Sequence, residues 1–310
     1  MVAGGVRLPS FKTNDVVEKH TDMKKVNKIL FMVLVIVGLG GCIKEDLDGC
    51  FSDITLLMSY KGDGTSEIFN EKIRNAVLYV FDENKNLTTT LEVSERELKE
   101  RRVVLPDLPL GDYRVICFGN TGNSRTNDLS GVDYPQMHYA AKEYFENRTI
   151  RGNDSLYYSS LTLTVTGEDV TKTLDFASSH YKVVVEVAGI VEGSRYPTIE
   201  WSGVLPYTDF ENRVGGEPTD YILDTEYRNG MLQSRTNIMR HSDHAGVDII
   251  LRAPDGSVLA EVNLADFLKA HPEVDCSKQE VLIPLRFEFK AVGVEITLPD
   301  WYVEYVKPEF

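Results

Sequence analysis

The sequence has few cysteines and little positive charge, and each shortage narrows what it can do. Four cysteines in 310 residues, none in a Cys-x-x-Cys pair, exclude a zinc knuckle and a dithiol redox motif. Lys and Arg number 33 against 48 Asp and Glu, a formal net charge of −15. Beyond Gly41 the balance is 27 against 45, or −18. A body this acidic repels phosphate backbones and anionic lipid. Nucleic acid is therefore not an expected partner, and no basic patch holds the chain to a membrane. No Gly-x-Ser-x-Gly elbow, P-loop or dinucleotide fingerprint is present, and no carboxylate pair stands out from the acidic background. Neither catalysis nor a cofactor is expected.

Long hydrophobic runs are also scarce. The one that exists, Ile29 to Leu39, covers about 16 Å as a helix, roughly half of a bilayer core. It is too short to span. Its flanks suit a secretory signal, with Lys24, Lys25 and Lys28 as the basic region and Ile29 to Val37 as the apolar region. The polar segment before Met23 fits no part of such a signal, so Met23 is the expected start and the first 22 residues an upstream extension. Leu39-Gly40-Gly41-Cys42 resembles the bacterial lipobox, which is cut between Gly41 and Cys42 and lipidated on Cys42. At about 0.8 kcal/mol per buried methylene, two or more acyl chains make the attachment effectively permanent. An ordinary signal peptide with an incidental cysteine is the alternative. Lys44, Glu45 and Asp46 just after Cys42 resemble the export signal of surface-exposed lipoproteins in Bacteroidales-type bacteria.

What is abundant is period-two patterning, the mark of half-buried strands. Ile54, Leu56, Met58 and Tyr60 alternate with Thr55, Leu57 and Ser59. Ala76 to Phe81 is apolar throughout, and Tyr113 to Phe118, Leu161 to Thr166, "YKVVVEV" and "IPLRFEFK" add further strands. Pro254-Asp255-Gly256 supplies the turn of a hairpin from Leu251 to Val262. Helices are few: Ser94 to Arg101, opened by a Ser94/Glu97 capping box, Leu264 to Ala270, and the weaker Met137 to Arg148. The pattern predicts an all-β fold of two β-sandwiches in tandem. The expected division is 1–41 extension and signal peptide, 42–49 lipidated export linker, 50–168 and 169–310 sandwiches. The last boundary falls in the polar stretch Gly167 to Lys172.

Other candidate residues form small groups. In an oxidising compartment two of Cys50, Cys117 and Cys276 could pair, Cys50 with Cys117 being the expected couple, although spacing does not settle it. His241, Asp243 and His244 form the only histidine cluster, read as a solvated loop rather than a metal site. "KGDGTSE" lacks the spaced oxygen ligands of a calcium loop and reads as a hairpin loop. Asp154-Ser155-Leu156 resembles the Asp-Ser/Thr-aliphatic O-glycosylation signal of Bacteroidales-type exported proteins, with Ser155 as acceptor. Fifteen tyrosines supply core, or a carbohydrate or protein surface.

Taken in order, "CIKEDLDGC", "ITLLMSYKGDG", "EIFNEKIRNAVLYVFDENKNL", "LPLGDYRVICFGN" and "ITLPDWYVEYVKPEF" resemble the FimB/Mfa fimbrial anchor lipoproteins of type V pili. The resemblance implies two transthyretin-like (Greek-key) sandwiches in a subunit at the base of a fimbrium. Such a subunit ties the fibre to the outer membrane and influences its length. Its implied partner is the shaft pilin, engaged by strand addition. Shaft pilins of that system are cut by an arginine-specific protease after their first strand. Here only Arg74 stands between the first two strands, which favours an uncut, lipid-retaining anchor. A stand-alone surface adhesin or glycan-binding lipoprotein is the alternative. The segment Val292 to Phe310 is expected to close the second sandwich, with Trp301 and Tyr302 buried.

Overall fold

The computed structural model describes residues 53–127 and 134–302. The chain opens with β1 (Ile54–Ser59), the single turn α1 (Phe69–Lys72), β2 (Ala76–Asp82), β3 (Leu87–Glu92) and α2 (Glu95–Glu100). Next come β4 (Arg102–Val104), β5 (Gly111–Gly119), β6 (Ser124–Thr126), β7 (His138–Ala141) and the short α3 (Lys142–Phe145). β8 (Tyr157–Val165), β9 (Val170–Asp175) and β10 (Ala177–Ser178) complete the first half. The second half starts with β11 (His180–Ala188), β12 (Thr198–Val204), β13 (Tyr207–Asp209), β14 (Val214–Gly215), β15 (Thr219–Ile222) and β16 (Glu226–Arg228). It continues through β17 (Met231–Met239), β18 (Asp248–Arg252), β19 (Val258–Asn263), α4 (Leu264–Ala270), β20 (Leu282–Phe289) and β21 (Val294–Thr297). The fold is all-β with few short helices, as the sequence predicts.

Local chemistry explains the elements. Ile54, Leu56, Met58 and Tyr60 are all but inaccessible, so the predicted alternation of β1 is its core face. The capping box forms, with Glu97 accepting the Ser94 backbone N–H at 2.9 Å, and Arg101 in a left-handed conformation ends α2. Asp255 accepts the Ser257 N–H at 3.0 Å and closes the β18–β19 turn. Gly203, at φ +78°, allows the bulge in β12, where a Cβ would meet the Gly246 carbonyl at 2.0 Å.

Each half packs two sheets. In the first, β4-β1-β9 faces β10-β8-β5-β2-β3 across a core containing Leu56, Leu78, Val115 and Leu174. In the second, β16-β17-β11-β20-β21 faces β15-β12-β18-β19 around Trp201, Val185 and Phe287. The halves share one plan. The first strand of each, β1 or β11, sits between an antiparallel neighbour, β4 or β17, and a parallel one, β9 or β20. The opposing sheets, β8-β5-β2-β3 and β19-β18-β12-β15, follow the same order with every neighbour antiparallel.

A third layer distinguishes the first half. The sheet β14-β13-β7-β6 covers the outer face of β8-β5-β2, burying Tyr79, Phe81, Phe118, Tyr139 and Phe210. Both faces of β2 are therefore buried, which is why Ala76 to Phe81 is apolar without alternation. Two strands of this layer come from each half, joined by the β7–β13 pairing of Tyr139 with Thr208.

Two expectations need correction. The polar stretch placed between the sandwiches runs into β9, which pairs with β1. Leu174 and Phe176 still belong to the first core, and the second core, which also takes in Ala141 and Ile150 from the first half, is joined next at Tyr181. The Met137 to Arg148 segment is strand β7 followed by one helical turn, because pairing with β6 and β13 outweighs its helix-forming composition.

Candidate functional site

The structural setting of β1 is the first element of the site. β1 occupies the centre of its sheet with both edges engaged. Toward β4, the Met58 N–H donates to the Arg101 carbonyl at 2.9 Å, and toward β9 the Phe176 N–H donates to the Ser59 carbonyl at 2.9 Å. At its end, Glu67 accepts the backbone N–H groups of Tyr60 and Phe69 and pairs with Arg101 at 2.8 Å. Burial pushes the Glu67 carboxyl up, and those two backbone bonds with Arg101 more than reverse it. Arg74 is exposed at the mouth of β2, its guanidinium donating to the carbonyls of Asn70 and Glu71.

The second element is the junction at Glu280, a half-hidden carboxylate just before β20. The Tyr60 and Tyr157 hydroxyls donate to its Oε1 at 2.6 and 2.9 Å. Lys72 and Lys182 donate to its Oε2 at 2.8 and 2.6 Å. Three of these four donors lie in the first half, and Lys182 lies in β11. Burial alone would raise the Glu280 carboxyl, but the bonds from Lys182, Lys72 and Tyr60 hold it at about 2. Burial and the nearby carboxylate push both phenols well above their ordinary value, so they remain donors. The "KGDGTSE" loop has a structural task here. Asp63 accepts the backbone N–H groups of Gln279 and Glu280 at 2.7 and 3.1 Å. Nothing in the sequence singles out Glu280; it is one carboxylate among 48 acidic residues.

The remaining expected residues are dispersed. Gly41, Cys42, Lys44, Glu45, Asp46 and Cys50 lie outside the described residues. Cys117 is a free thiol buried in the first core, and burial pushes its pKa up. Cys276 is also free and partly buried. Ser155 is half-buried, its Oγ accepting from Asn120 at 3.2 Å. The histidine cluster is not a wholly solvated loop: His241 is buried, and the Tyr181 hydroxyl donates to its carbonyl at 2.9 Å. Burial pulls His241 down to about 4. Among the described residues no group of three or more His, Cys, Asp or Glu side chains is placed to hold a metal.

Trp301 also departs from expectation. It remains 36% exposed, while Tyr302 beside it is buried. Its indole N–H donates to Glu186 at 2.9 Å, and Arg286 donates to the same carboxylate at 2.9 and 3.1 Å. The chain turns at Pro299 before the tryptophan reaches the core, which leaves its ring on the outer face of β11 and β20. An open cleft of about 810 Å³ lies there, lined by Ser155, Lys182, Val184, Gln233, Arg235 and Trp301.

Comparison with known proteins matches this arrangement to a family. A protein from Bacteroides ovatus described as a candidate adhesin superposes with a TM-score of 0.66 at 18% identity, covering 80% of this chain and 94% of its own. A candidate polysaccharide-binding protein from Bacteroides thetaiotaomicron gives 0.65 at 13%, covering 81% and 96%. The fimbrial anchor protein Mfa2 from Porphyromonas gingivalis gives 0.62 at 11%, covering 81% and 98%. At these identities the three establish the fold alone. No curated protein matches the sequence significantly. The model of the fimbrillin-A associated anchor proteins Mfa1 and Mfa2, however, matches residues 47–307, almost the whole length of both sandwiches. The chain belongs to the family of fimbrillin-A associated anchor proteins.

Proposed function

We propose that this chain is the base subunit that fastens a fimbrium to the outer membrane and sets its length. Family membership carries the coarser statement, a fimbrium-associated structural protein that works with other fimbrial subunits. In the finer reading, cleavage between Gly41 and Cys42 exposes Cys42, which carries the lipid. Lys44, Glu45 and Asp46 direct the protein to the outer face, and the first shaft pilin adds a strand to an open sheet edge. β3 and β19, each six residues long, are such edges.

The observation that carries this reading is the position of β1. A shaft pilin gives up its first strand and receives a neighbour's. Here β1 is the middle strand of β4-β1-β9, with Ile54, Leu56 and Met58, and Tyr60 just after them, inside the core. A subunit complete in its own strands suits the end of a fibre, where no first strand has to be given up to open a groove for a neighbour.

The test is Cys42→Ser, which removes the only atom able to form the thioether. Fatty-acid labelling should vanish and pilin antigen should move from cells to medium. Undiminished labelling, with fimbriae still cell-bound, would exclude the anchor role. Replacing Lys44, Glu45 and Asp46 by alanine should leave a lipidated protein shielded from external protease.

A second reading, an adhesin that binds glycans, is favoured by the half-exposed Trp301 at the rim of an open, polar cleft. A glycan array decides it: binding of a defined sugar, lost in Trp301→Ala without any pilin present, supports the adhesin.

A further inference from the structure

We propose that the parallel pairing of β1 with β9, repeated by β11 with β20, makes this chain a shear-loaded mechanical coupling. The inference rests on the reading above, with the lipid at the N-terminus and the pilin held at the β19 edge, so that tension enters at β1 and leaves through the second half. In the first half, β1 and β9 run parallel through six residue pairs, from Ile54 with Val170 to Ser59 with Asp175. The chain enters β1 at Ile54 and leaves β9 at Asp175, at opposite ends of the pair. Tension between those ends slides one strand along the other, so every ladder bond is loaded together. Two strands pulled from the same end would instead unzip, breaking their bonds in succession.

Several features add to the resistance. The second ladder, to β4, must break in the same event because β1 is central. Withdrawal of the strand also drags Ile54, Leu56, Met58 and Tyr60 out of a core in which each is at most 1% exposed. The second half repeats the geometry: the chain enters β11 at His180 and leaves β20 at Phe289, with seven parallel pairs between Lys182 with Leu282 and Ala188 with Glu288. Between the two clamps the covalent link, Phe176 to Ser179, does not stand alone. Glu280, held by Tyr60, Lys72, Tyr157 and Lys182, shares the pull across the junction. Survival under load is set by the unfolding barrier rather than by equilibrium stability. A simultaneous break raises that barrier even in a domain of ordinary stability.

Single-molecule pulling tests this directly and needs no pilus. The full chain is stretched once between handles on its two termini. It is then stretched between the N-terminal handle and an azide-bearing residue replacing Glu168, which is exposed just before β9. The first geometry shears the β1–β9 pair and the second unzips it. The rupture force that releases β1 should be at least about threefold higher in the first, because the ladder bonds fail together. An unchanged urea midpoint shows that the handle leaves the fold intact. Equal forces in the two geometries overturn the clamp while leaving the anchor reading to its own test, the shedding of fimbriae.

Discussion

The two halves follow one strand plan and treat their second sheet in opposite ways. In the first half the outer face of β8-β5-β2 is aromatic, with Tyr79, Phe118 and Tyr158 sealed beneath the third layer. In the second half the matching face of β12 and β18 is polar. There Glu200 pairs with Arg252 at 2.7 Å and Ser202 donates to Asp220 at 2.6 Å. Topology is therefore what the halves have in common, and the second face is free to be either solvent-exposed or core. Each choice is visible in the strand itself. Ala-Val-Leu-Tyr-Val-Phe at β2 is continuous because it is covered twice, whereas Thr-Ile-Glu-Trp-Ser at β12 alternates because it is covered once.

The sharpest way to break this contrast is Phe210→Ala. Phe210 belongs to the second half by sequence and to the first half's outer core by contact. Its ring lies 4.9 Å from Tyr79 and 5.0 Å from Phe118. The change should cost about 3–5 kcal/mol in urea denaturation. A loss below about 1 kcal/mol would mean that the third layer does not belong to the first half's core.

Glu280→Ala comes next, because it leaves Lys72 and Lys182 converging on an empty site and two phenols without an acceptor. Roughly 2–3 kcal/mol should be lost, with the halves separating before either melts. A single cooperative transition at unchanged midpoint would assign the joint to the β7–β13 pairing instead. The same carboxylate sets an acid limit. Its pKa is depressed in the fold, so its contribution is present above the ordinary value of 4.5 and is lost as pH falls toward about 2. Wild type should lose stability through that window, and Glu280→Gln should flatten the profile there.

The smallest effect is expected at Trp301. With a third of its surface exposed, Trp301→Ala should remove about 1–2 kcal/mol through its contact with Glu186 and partial burial. A loss as large as that of Phe210→Ala would restore it to the core.

Where alternation, caps and turns decide an element, the sequence is readable: β1, α2 and the β18–β19 hairpin lie where local pattern puts them. It is least readable where long-range pairing decides. Nothing in His138 to Ala141 announces a partner about seventy residues away at Tyr207 to Asp209. A polar lead-in conceals that Val170 to Asp175 returns to β1. The junction is illegible for a related reason, since Glu280 draws its donors from Tyr60, Lys72, Tyr157 and Lys182. The Leu39 to Cys42 motif is of the opposite kind, a linear string whose reading depends on no distant partner.

The shared third layer also dictates an order of events during synthesis. The first half has all its own strands once Ser178 has emerged, yet its aromatic outer face stays only half covered, by β6 and β7, until Phe210 arrives. Until then only β6 and β7 cover Tyr79, Phe81, Phe118 and Tyr158, and part of a greasy sheet is left bare on a nascent chain. Non-local closure of this kind is slow and exposes aggregation-prone surface. A holdase chaperone should therefore bind chains truncated before Phe210 and release those that extend past Gly215, so that the last strand pair of a borrowed sheet acts as the timer for release.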